Sequence, residues 1–250
     1  NDIMLQEERF AKILSIIDME KSATLPQLME TLGVSESTIR RDLSTMDKKG
    51  LLVKVHGGAV AVGTKYNTVD EGVNKRQEIK CTDKKIIGEY GAKLITDDDF
   101  VYIDAGTTTE AMLEFVTAKN ATFVTNAIGH AKFLSRNGFK VYILGGRFKS
   151  VTEAIVGEEA VLTLDKYNFT KGFFGSDGIN IKSGFTTPDV EEAMVKRKAM
   201  ENCKERYVLA DESKFMQISS VKFAEFEDAT IITTNLNEKI YAECNNITII

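Results

Sequence analysis

Residues 32–43 have the sequence LGVSESTIRRDL. Gly33 suits the left-handed residue that ends a helix, and Ser35 is a favoured N-cap for a following helix. In a helix that starts after Ser35, Ile39 and Leu43 share one face because they are four residues apart. The stretch therefore predicts two helices joined by a three-residue turn.

The flanking sequence extends this pair of helices into a larger unit. Residues 5–19 place apolar side chains at helical spacing, which predicts another helix before the pair. After the pair, residues 51–55 alternate like a strand, Gly57–Gly58 permits a tight turn, and residues 59–62 can form the returning strand. We predict a winged helix-turn-helix domain over residues 1–62.

The third helix and the wing carry the candidate DNA-contacting residues. The net charge of −5 is unusual for a protein that binds nucleic acid, but residues 40–54 hold five Lys/Arg against two Asp/Glu. Hydroxyl and guanidinium groups on the outer face of a recognition helix suit base edges and phosphates. The candidates are Ser35, Ser37, Thr38, Arg40, Arg41, Ser44, Lys48, Lys54, His56, Gly57 and Gly58. Two alternatives stay open from the pattern alone: a solvated face on an ordinary helical hairpin, and a helix-turn-helix used only for contacts with proteins.

The rest of the chain has a different pattern. Residues 63–73 are polar without periodicity, which predicts a flexible linker, and residues 74–94 predict a long helix. Beyond them, short apolar runs such as 100–105 and 122–125 alternate with helical stretches. Strands separated by helices predict an α/β domain over residues 74–250, with a largely parallel sheet covered on both faces.

Glycine and polar residues recur just after these predicted strands. Residues 104–109, DAGTTT, stand between a strand and a helix, where free N–H groups and threonine hydroxyls suit a phosphate. Open α/β sheets hold ligands at the carboxyl ends of their strands. The candidate ligand-binding residues are Asp104, Gly106, Thr107, Thr108, Thr109, Asn126, Gly145, Gly146, Arg147, Asp177, Gly178 and Lys214. Taken singly, each loop also fits an ordinary turn, so that alternative stays open.

Composition narrows the class of protein. Hydrophobic residues at 43% and charged residues at 28% are usual for a folded globular chain. Three scattered cysteines and two histidines give neither a disulfide framework nor the spacing of a metal site. No apolar run reaches the roughly 18 residues of a membrane span, and the first residues lack the features of a secretory signal. We expect a cytoplasmic protein with no metal, no cofactor and no membrane partner.

Several segments carry a resemblance to a known family. Residues 38–43, TIRRDL, and residues 55–59, VHGGA, resemble the DNA-binding signature of the DeoR family of bacterial transcription regulators. The loops at 104–109, 125–126, 144–146, 175–178 and 213–215 resemble those of the family's sugar-sensing domain. That domain is similar in fold to ribose-5-phosphate isomerase and glucosamine-6-phosphate deaminase. The resemblance covers about residues 4–250, nearly the whole chain.

The resemblance implies a regulator that binds double-stranded operator DNA, represses genes of sugar uptake or catabolism and responds to a phosphorylated sugar. It assigns phosphate to residues 106–109 with Lys214, and sugar hydroxyls to Asp104, Asn126 and Asp177. Fructose 1-phosphate is the lead candidate, with tagatose 6-phosphate and other hexose phosphates behind it. Because one recognition helix covers only a half-site, we expect a homodimer or homotetramer on DNA.

The rival interpretation is a sugar-phosphate isomerase or deaminase with an appended DNA-binding module. Such chemistry needs a general base, and Asp177 lies in a loop similar to the acidic loop of the isomerases. The isomerases carry a second acid a few residues on, where this sequence has Asn180. Glu191 and Glu192 stand at a predicted helix start, where carboxylates suit the helix dipole. We therefore expect no catalytic residue.

Communication between the two domains has to pass the predicted linker. A flexible segment cannot hold two DNA-reading heads at a fixed spacing. We expect the predicted helix that starts at residue 74 to carry the signal. The family resemblance implies that the sugar phosphate releases the operator.

Overall fold

The computed structural model describes residues 5–20, 22–55, 57–62, 65–70, 72, 76–77, 79–236, 241 and 244–250, with the backbone alone at 65–66. The N-terminal unit contains α1 (Gln6–Glu20), β1 (Ser22–Thr24), α2 (Leu25–Leu32), α3 (Glu36–Lys48), β2 (Val53–Val55) and β3 (Gly58–Val60). The strands form an antiparallel sheet in the order β1-β3-β2. The predicted winged helix-turn-helix is confirmed, and β1 adds a third strand to the predicted hairpin.

Local capping fixes the turn between α2 and α3. The Thr24 hydroxyl accepts a hydrogen bond from the Gln27 N–H, and the Gln27 side chain accepts one from the Thr24 N–H, which completes a capping box. Gly33 ends α2 with a φ of 65°, the left-handed conformation that glycine adopts without strain. Ile39 and Leu43 of α3 are fully buried in the core of the unit, as their spacing predicts.

The larger unit alternates strands and helices along the chain. Its strands are β4 (Lys65–Asn67), β5 (Phe100–Ile103), β6 (Thr122–Thr125), β7 (Lys140–Ile143), β8 (Arg147–Lys149), β9 (Ala154–Val156), β10 (Phe169–Phe174), β11 (Gly178–Asn180), β12 (Gly184–Thr187), β13 (Cys203–Leu209), β14 (Gln217–Ser219), β15 (Val221–Ala224), β16 (Thr230–Thr233) and β17 (Ile247–Ile249). Its α-helices are α4 (Cys81–Lys93), α5 (Thr107–Leu113), α6 (Ile128–Arg136), α7 (Glu158–Leu164) and α8 (Val190–Glu201).

Seven of the strands form one sheet in the order β17-β16-β13-β10-β5-β6-β7, and every pairing in it is parallel. Successive side chains of a strand point to opposite faces, so Tyr102 and Phe174 pack with α7 and α8, whereas Ile103 and Phe173 pack with α4, α5 and α6. The predicted α/β fold with a sheet covered on both faces is therefore confirmed.

The segment between the two units is attached to the larger one. Strand β4 pairs in parallel with β14. Farther along, Asp70 forms an ion pair with Lys149 of β8. The expectation of a flexible segment at 63–73 is thus corrected for its described residues. A three-residue strand in a polar stretch has no periodicity by which the sequence could have shown it.

The helix predicted over residues 74–94 begins later than expected. Helix α4 starts at Cys81, because Lys80 has a φ of 56° and a left-handed residue interrupts the helical hydrogen bonds. Within α4, Ile87 is fully buried, whereas Ile86 is 44% exposed. The left-handed Lys80 thus rules out one continuous helix over residues 74–94 as the route of communication, and residues 74 and 75 themselves lie outside the described residues.

Candidate functional site

The outer face of α3 presents the predicted DNA-contacting side chains. Those exposed are Ser35, Ser37, Arg40, Arg41, Lys48 and Lys54, while Thr38 and Ser44 are half-buried. The Lys54 Nζ donates to the Ser44 hydroxyl at 2.6 Å, which holds the wing strand β2 beside α3. The Arg40 guanidinium pairs with Glu36 at 2.7 Å, whereas the Arg41 guanidinium has no ion pair among the described residues. Arg41 therefore has its donors available to a base or phosphate.

An acidic residue inside the signature has a structural role that the sequence did not indicate. Asp42 is 2% exposed and accepts two hydrogen bonds from the Arg9 guanidinium, at 2.7 and 3.1 Å. This bidentate pair joins α3 to α1 and so fixes the orientation of the recognition helix. The one available signal was an acid within an otherwise basic stretch, next to the buried position of Leu43.

The glycines of the wing have different environments. Gly57 is exposed, with a φ of 86°. Gly58 is buried in the centre of the small sheet, where a Cβ would collide with the carbonyl of Ala23. Close approach of β1 explains this glycine, so Gly58 is not an exposed contact of the wing. The predicted contact His56 lies outside the described residues.

A pocket lies at the carboxyl ends of four neighbouring strands of the large sheet, β13, β10, β5 and β6. The loop after β5 supplies Asp104 and the threonines that begin α5, and the loop after β10 supplies Asp177. The predicted ligand-binding residues in its wall are Asp104, Gly106, Thr107, Thr108, Asn126, Asp177 and Lys214. Asp104 and Lys214 are 110 positions apart in the chain, and the parallel strands bring all of these residues around one cavity.

The other predicted ligand-binding residues lie outside this wall; they are Thr109, Gly145, Gly146, Arg147 and Gly178. Thr109 is fully buried, and its hydroxyl donates to the Asp104 carbonyl at 2.7 Å, so it stabilises the turn. Arg147 follows β7 at the edge of the sheet and pairs with Glu191 at the surface. Gly178 is buried against the backbone of β14. Edge position and packing, which the sequence does not show, separate these residues from the pocket.

Buried polar groups form the floor of the pocket. Asn126 joins two loops, because its Oδ1 accepts from the Ala105 N–H at 2.8 Å and its Nδ2 donates to the Ile155 carbonyl at 3.3 Å. Asp104 is 1% exposed and forms an ion pair with Lys196, which is 5% exposed. Burial opposes the charge of Lys196, but the carboxylates of Asp104 and Glu192 outweigh it, so its pKa lies above the usual range.

Three cations of the pocket were missed by the sequence reasoning: Arg76, Lys84 and Lys196. Lys84 is 6% exposed, and this burial lowers the pKa of its ammonium group. The sequence contained a signal for the burial of two of these cations. Lys84 and Lys196 each share a helical face with small or apolar buried residues, such as Ile87 and Ala199. Arg76 comes from the segment before α4 and had no such signal.

A buried histidine packs against the threonine loop that follows β5. His130 of α6 is 4% exposed, and its Nε2 lies 3.1 Å from the Thr109 hydroxyl. Burial lowers the pKa of the imidazole to about 4, so the ring is neutral near pH 7.

Among the described residues no group of His, Cys, Asp and Glu is arranged to hold a metal ion. No helix in the described part of the chain has the length and apolar character of a membrane span.

A winged helix joined to an α/β domain with a polar, cation-rich pocket defines a transcription regulator that senses a small molecule. The model of the DeoR-like helix-turn-helix domain matches residues 9–65, and that of the DeoR C-terminal sensor domain matches residues 79–235. The chain belongs to the DeoR family, and the predicted resemblance is confirmed.

Two similar proteins cover almost the whole chain. A Bacillus subtilis protein named "Uncharacterized HTH-type transcriptional regulator FruR" is 39% identical over 248 residues, covering 99% of this chain and 98% of its own length. The lactose phosphotransferase system repressor of Staphylococcus aureus is 31% identical over 240 residues, covering 94% of each chain. Among solved structures, ribose 5-phosphate isomerase A of Methanocaldococcus jannaschii is 15% identical, with a TM-score of 0.38 over 53% of each chain.

Proposed function

We propose that the protein is a cytoplasmic repressor of sugar uptake or catabolism genes, whose binding to operator DNA is modulated by a phosphorylated sugar. The observation that carries the proposal is the composition of the pocket. Four cations, Arg76, Lys84, Lys196 and Lys214, surround the threonine loop after β5, and they meet carboxylates that suit sugar hydroxyls. A ligand with both an anionic group and several hydroxyls matches this combination.

Within the pocket, the phosphate lies at Gly106, Thr107 and Thr108 with Lys214, and the hydroxyls lie at Asp104 and Asp177. Asn126 contributes by holding the loop, since both ends of its amide already have protein partners. The name of the Staphylococcus aureus relative, lactose phosphotransferase system repressor, supports a sugar of the phosphotransferase system. Fructose 1-phosphate is the lead candidate, followed by tagatose 6-phosphate and other hexose phosphates.

Calorimetric titration with these sugar phosphates tests the effector assignment. Fructose and inorganic phosphate, titrated separately, show whether both halves of the ligand are needed. Thr107→Ala and Thr108→Ala should weaken binding, because each deletes a hydroxyl donor without opening the core. Thr117→Ala is the matched control, since Thr117 is exposed outside the pocket. If all three variants bind the sugar phosphate with the affinity of the wild type, the threonine loop does not hold the ligand.

The DNA-binding half acts as part of a homodimer or homotetramer, because a single α3 reads only a few base pairs. Two copies related by two-fold symmetry place two recognition helices about one helical turn of DNA apart. Analytical ultracentrifugation with a duplex operator tests this: the complex should contain at least two chains. A complex of one chain with one operator would refute it.

Binding is not followed by turnover. The catalytic alternative rests on Asp177 and Glu192, two carboxylates in the pocket wall, of which Glu192 has a pKa raised by burial. Asp177 is engaged by Arg76 at 3.6 Å and by the Thr187 hydroxyl at 3.0 Å, and Asn180 lies outside the wall. Isomerase or deaminase turnover by homogeneous protein that Asp177→Asn abolishes would establish the enzyme instead.

A further inference from the structure

One hairpin of the larger unit reaches from the pocket to the winged helix. It consists of β11 and β12, and it begins directly after Ser176 and Asp177, which line the pocket. At its other end, Asn180 closes β11 and Lys182 lies in the turn. The path from Asp177 to Asn180 is three residues of extended chain, about 10 Å.

The far end of this hairpin contacts the winged helix through polar side chains. The Ser22 hydroxyl donates to Asn180 Oδ1 at 3.3 Å, and both residues are buried, at 6% and 1% exposed. Beside them, Lys182 forms an ion pair with Glu20 at the end of α1. Glu20 is held in place by Gln27, which donates to its carboxylate at 2.7 Å. These contacts join the sensor to α1, α2 and β1 of the winged helix.

The hairpin is tightly cross-linked internally. Asn180 Oδ1 also accepts from the backbone N–H groups of Lys182 and Ser183, at 3.0 and 2.9 Å. The Ser176 hydroxyl donates to the Gly178 carbonyl at 2.7 Å. The β11–β12 ladder runs between these two ends, so the hairpin forms one hydrogen-bonded unit from the pocket to its turn.

At the pocket end of the hairpin, Asp177 pairs with Arg76, and a ligand in the pocket can compete for this arginine. Asp177 is paired with Arg76 Nη1 at 3.6 Å, a long distance for an ion pair. The Nε of Arg76 is buried and has no hydrogen-bond partner among the described residues. A phosphate or hydroxyl oxygen entering the pocket would supply that acceptor and compete with Asp177 for the guanidinium.

We propose that the β11–β12 hairpin relays occupancy of the pocket to the winged helix through the Asn180–Ser22 and Lys182–Glu20 contacts. The inference rests on the proposed function, because it takes a sugar phosphate as the ligand. The ligand displaces Asp177 from Arg76, the hairpin follows Asp177, and the winged helix follows the hairpin. This route replaces a continuous helix from residue 74.

A charge exchange at the surface pair tests the relay without touching either binding site. Glu20→Lys and Lys182→Glu each place like charges together, and the double variant restores an opposite-charge pair. Operator affinity is measured by fluorescence anisotropy with and without saturating fructose 1-phosphate, then with tagatose 6-phosphate. In the wild type a typical coupling changes operator affinity by about 5–150-fold. The quantity compared is the ratio of operator affinities without and with the sugar phosphate. Each single variant should bring this ratio toward one, and the double variant should recover the wild-type ratio.

Two further variants separate the relay from other effects. Lys198→Glu breaks an ion pair with Asp165 elsewhere on the same domain, so it should keep the wild-type ratio. Ser22→Ala removes the buried hydrogen bond with little change in volume, and it should lower the ratio as the single charge variants do. Sugar-phosphate affinity, measured by calorimetry, should stay within about twofold of the wild type in all variants.

The outcomes distinguish the relay from the proposed function. If both single charge variants and Ser22→Ala keep the full ratio, the relay is refuted while the sensor function stands. Loss of the ratio in both single variants without recovery in the double variant also refutes it, because the ion pair is then not the connection. If the wild type binds none of the hexose phosphates of the calorimetric series, or its operator affinity responds to none of them, the proposed function itself fails and the relay with it.

Discussion

Replacing Lys196 by Met should destabilise the protein because it leaves a buried carboxylate without its counter-charge. Lys196 and Asp104 are 5% and 1% exposed, so little water reaches the carboxylate to replace the lost partner. The Gly175 N–H at 3.2 Å is a remaining donor to the carboxylate. Removing one partner of a buried ion pair costs about 3–5 kcal/mol. For a chain of this size that corresponds to a fall in the unfolding midpoint on the order of 6–20 °C.

The pH dependence of the Lys196→Met variant identifies the cause. Burial already raises the pKa of Asp104, against the effect of Lys196, and without the lysine it should rise farther. An acid whose pKa is raised in the folded state favours folding below its unfolded value, about 3.9, and this contribution is lost as pH rises through the folded pKa. The deficit relative to the wild type should therefore be larger at pH 8 than at pH 5.

Thermal unfolding followed by circular dichroism at the two pH values is the assay. Lys198→Met, on the same helix, is the matched control, because Lys198 pairs with Asp165 at the surface and its loss should leave the midpoint nearly unchanged. The double variant Asp104→Asn with Lys196→Met should be more stable than Lys196→Met alone, since it removes the buried charge. A Lys196→Met protein as stable as the wild type at pH 8 would refute the reasoning.

Three other outcomes follow from the described contacts. Arg41→Ala should weaken operator binding by about 5–150-fold, the equivalent of one bidentate base contact, in an anisotropy titration; unchanged affinity in both this variant and Arg40→Ala, with the fold intact, would exclude α3 as the reading helix. Asp42→Ala removes two hydrogen bonds from Arg9 and should destabilise the winged helix by about 1–3 kcal/mol in urea unfolding; a variant as stable as the wild type would contradict this. His130, with a pKa lowered from 6.5 to about 4, contributes stability above pH 6.5 that is lost as pH falls toward 4. The full contribution is about 3 kcal/mol, and His130→Gln should lose this part of the pH dependence; an unchanged pH profile would count against it.

Local signals let the sequence predict the winged helix. The C-cap at Gly33 and the spacing of Ile39 and Leu43 are interactions within a few residues, so their pattern is visible along the chain. The same holds for the alternation of strands and helices in the larger unit, which led to the parallel sheet. Because parallel strands end at one edge, the loops at Asp104 and Asp177 could be assigned to one pocket.

The tertiary structure alone decided which charges meet and which glycines pack. Asp104 and Lys196 are 92 positions apart, and Asn180 meets Ser22 across 158, so no local pattern records either contact. Gly58 looked like a turn residue, but a neighbouring strand requires the absence of its side chain. Caps, periodicity and strand ends are short-range properties, so the winged helix and the alternation of strands and helices could be predicted from the sequence, whereas the short strands β1 and β4 and the start of α4 could not. Burial and pairing of side chains depend on segments far apart in the chain, and only the folded arrangement of the sheet and its hairpins sets them.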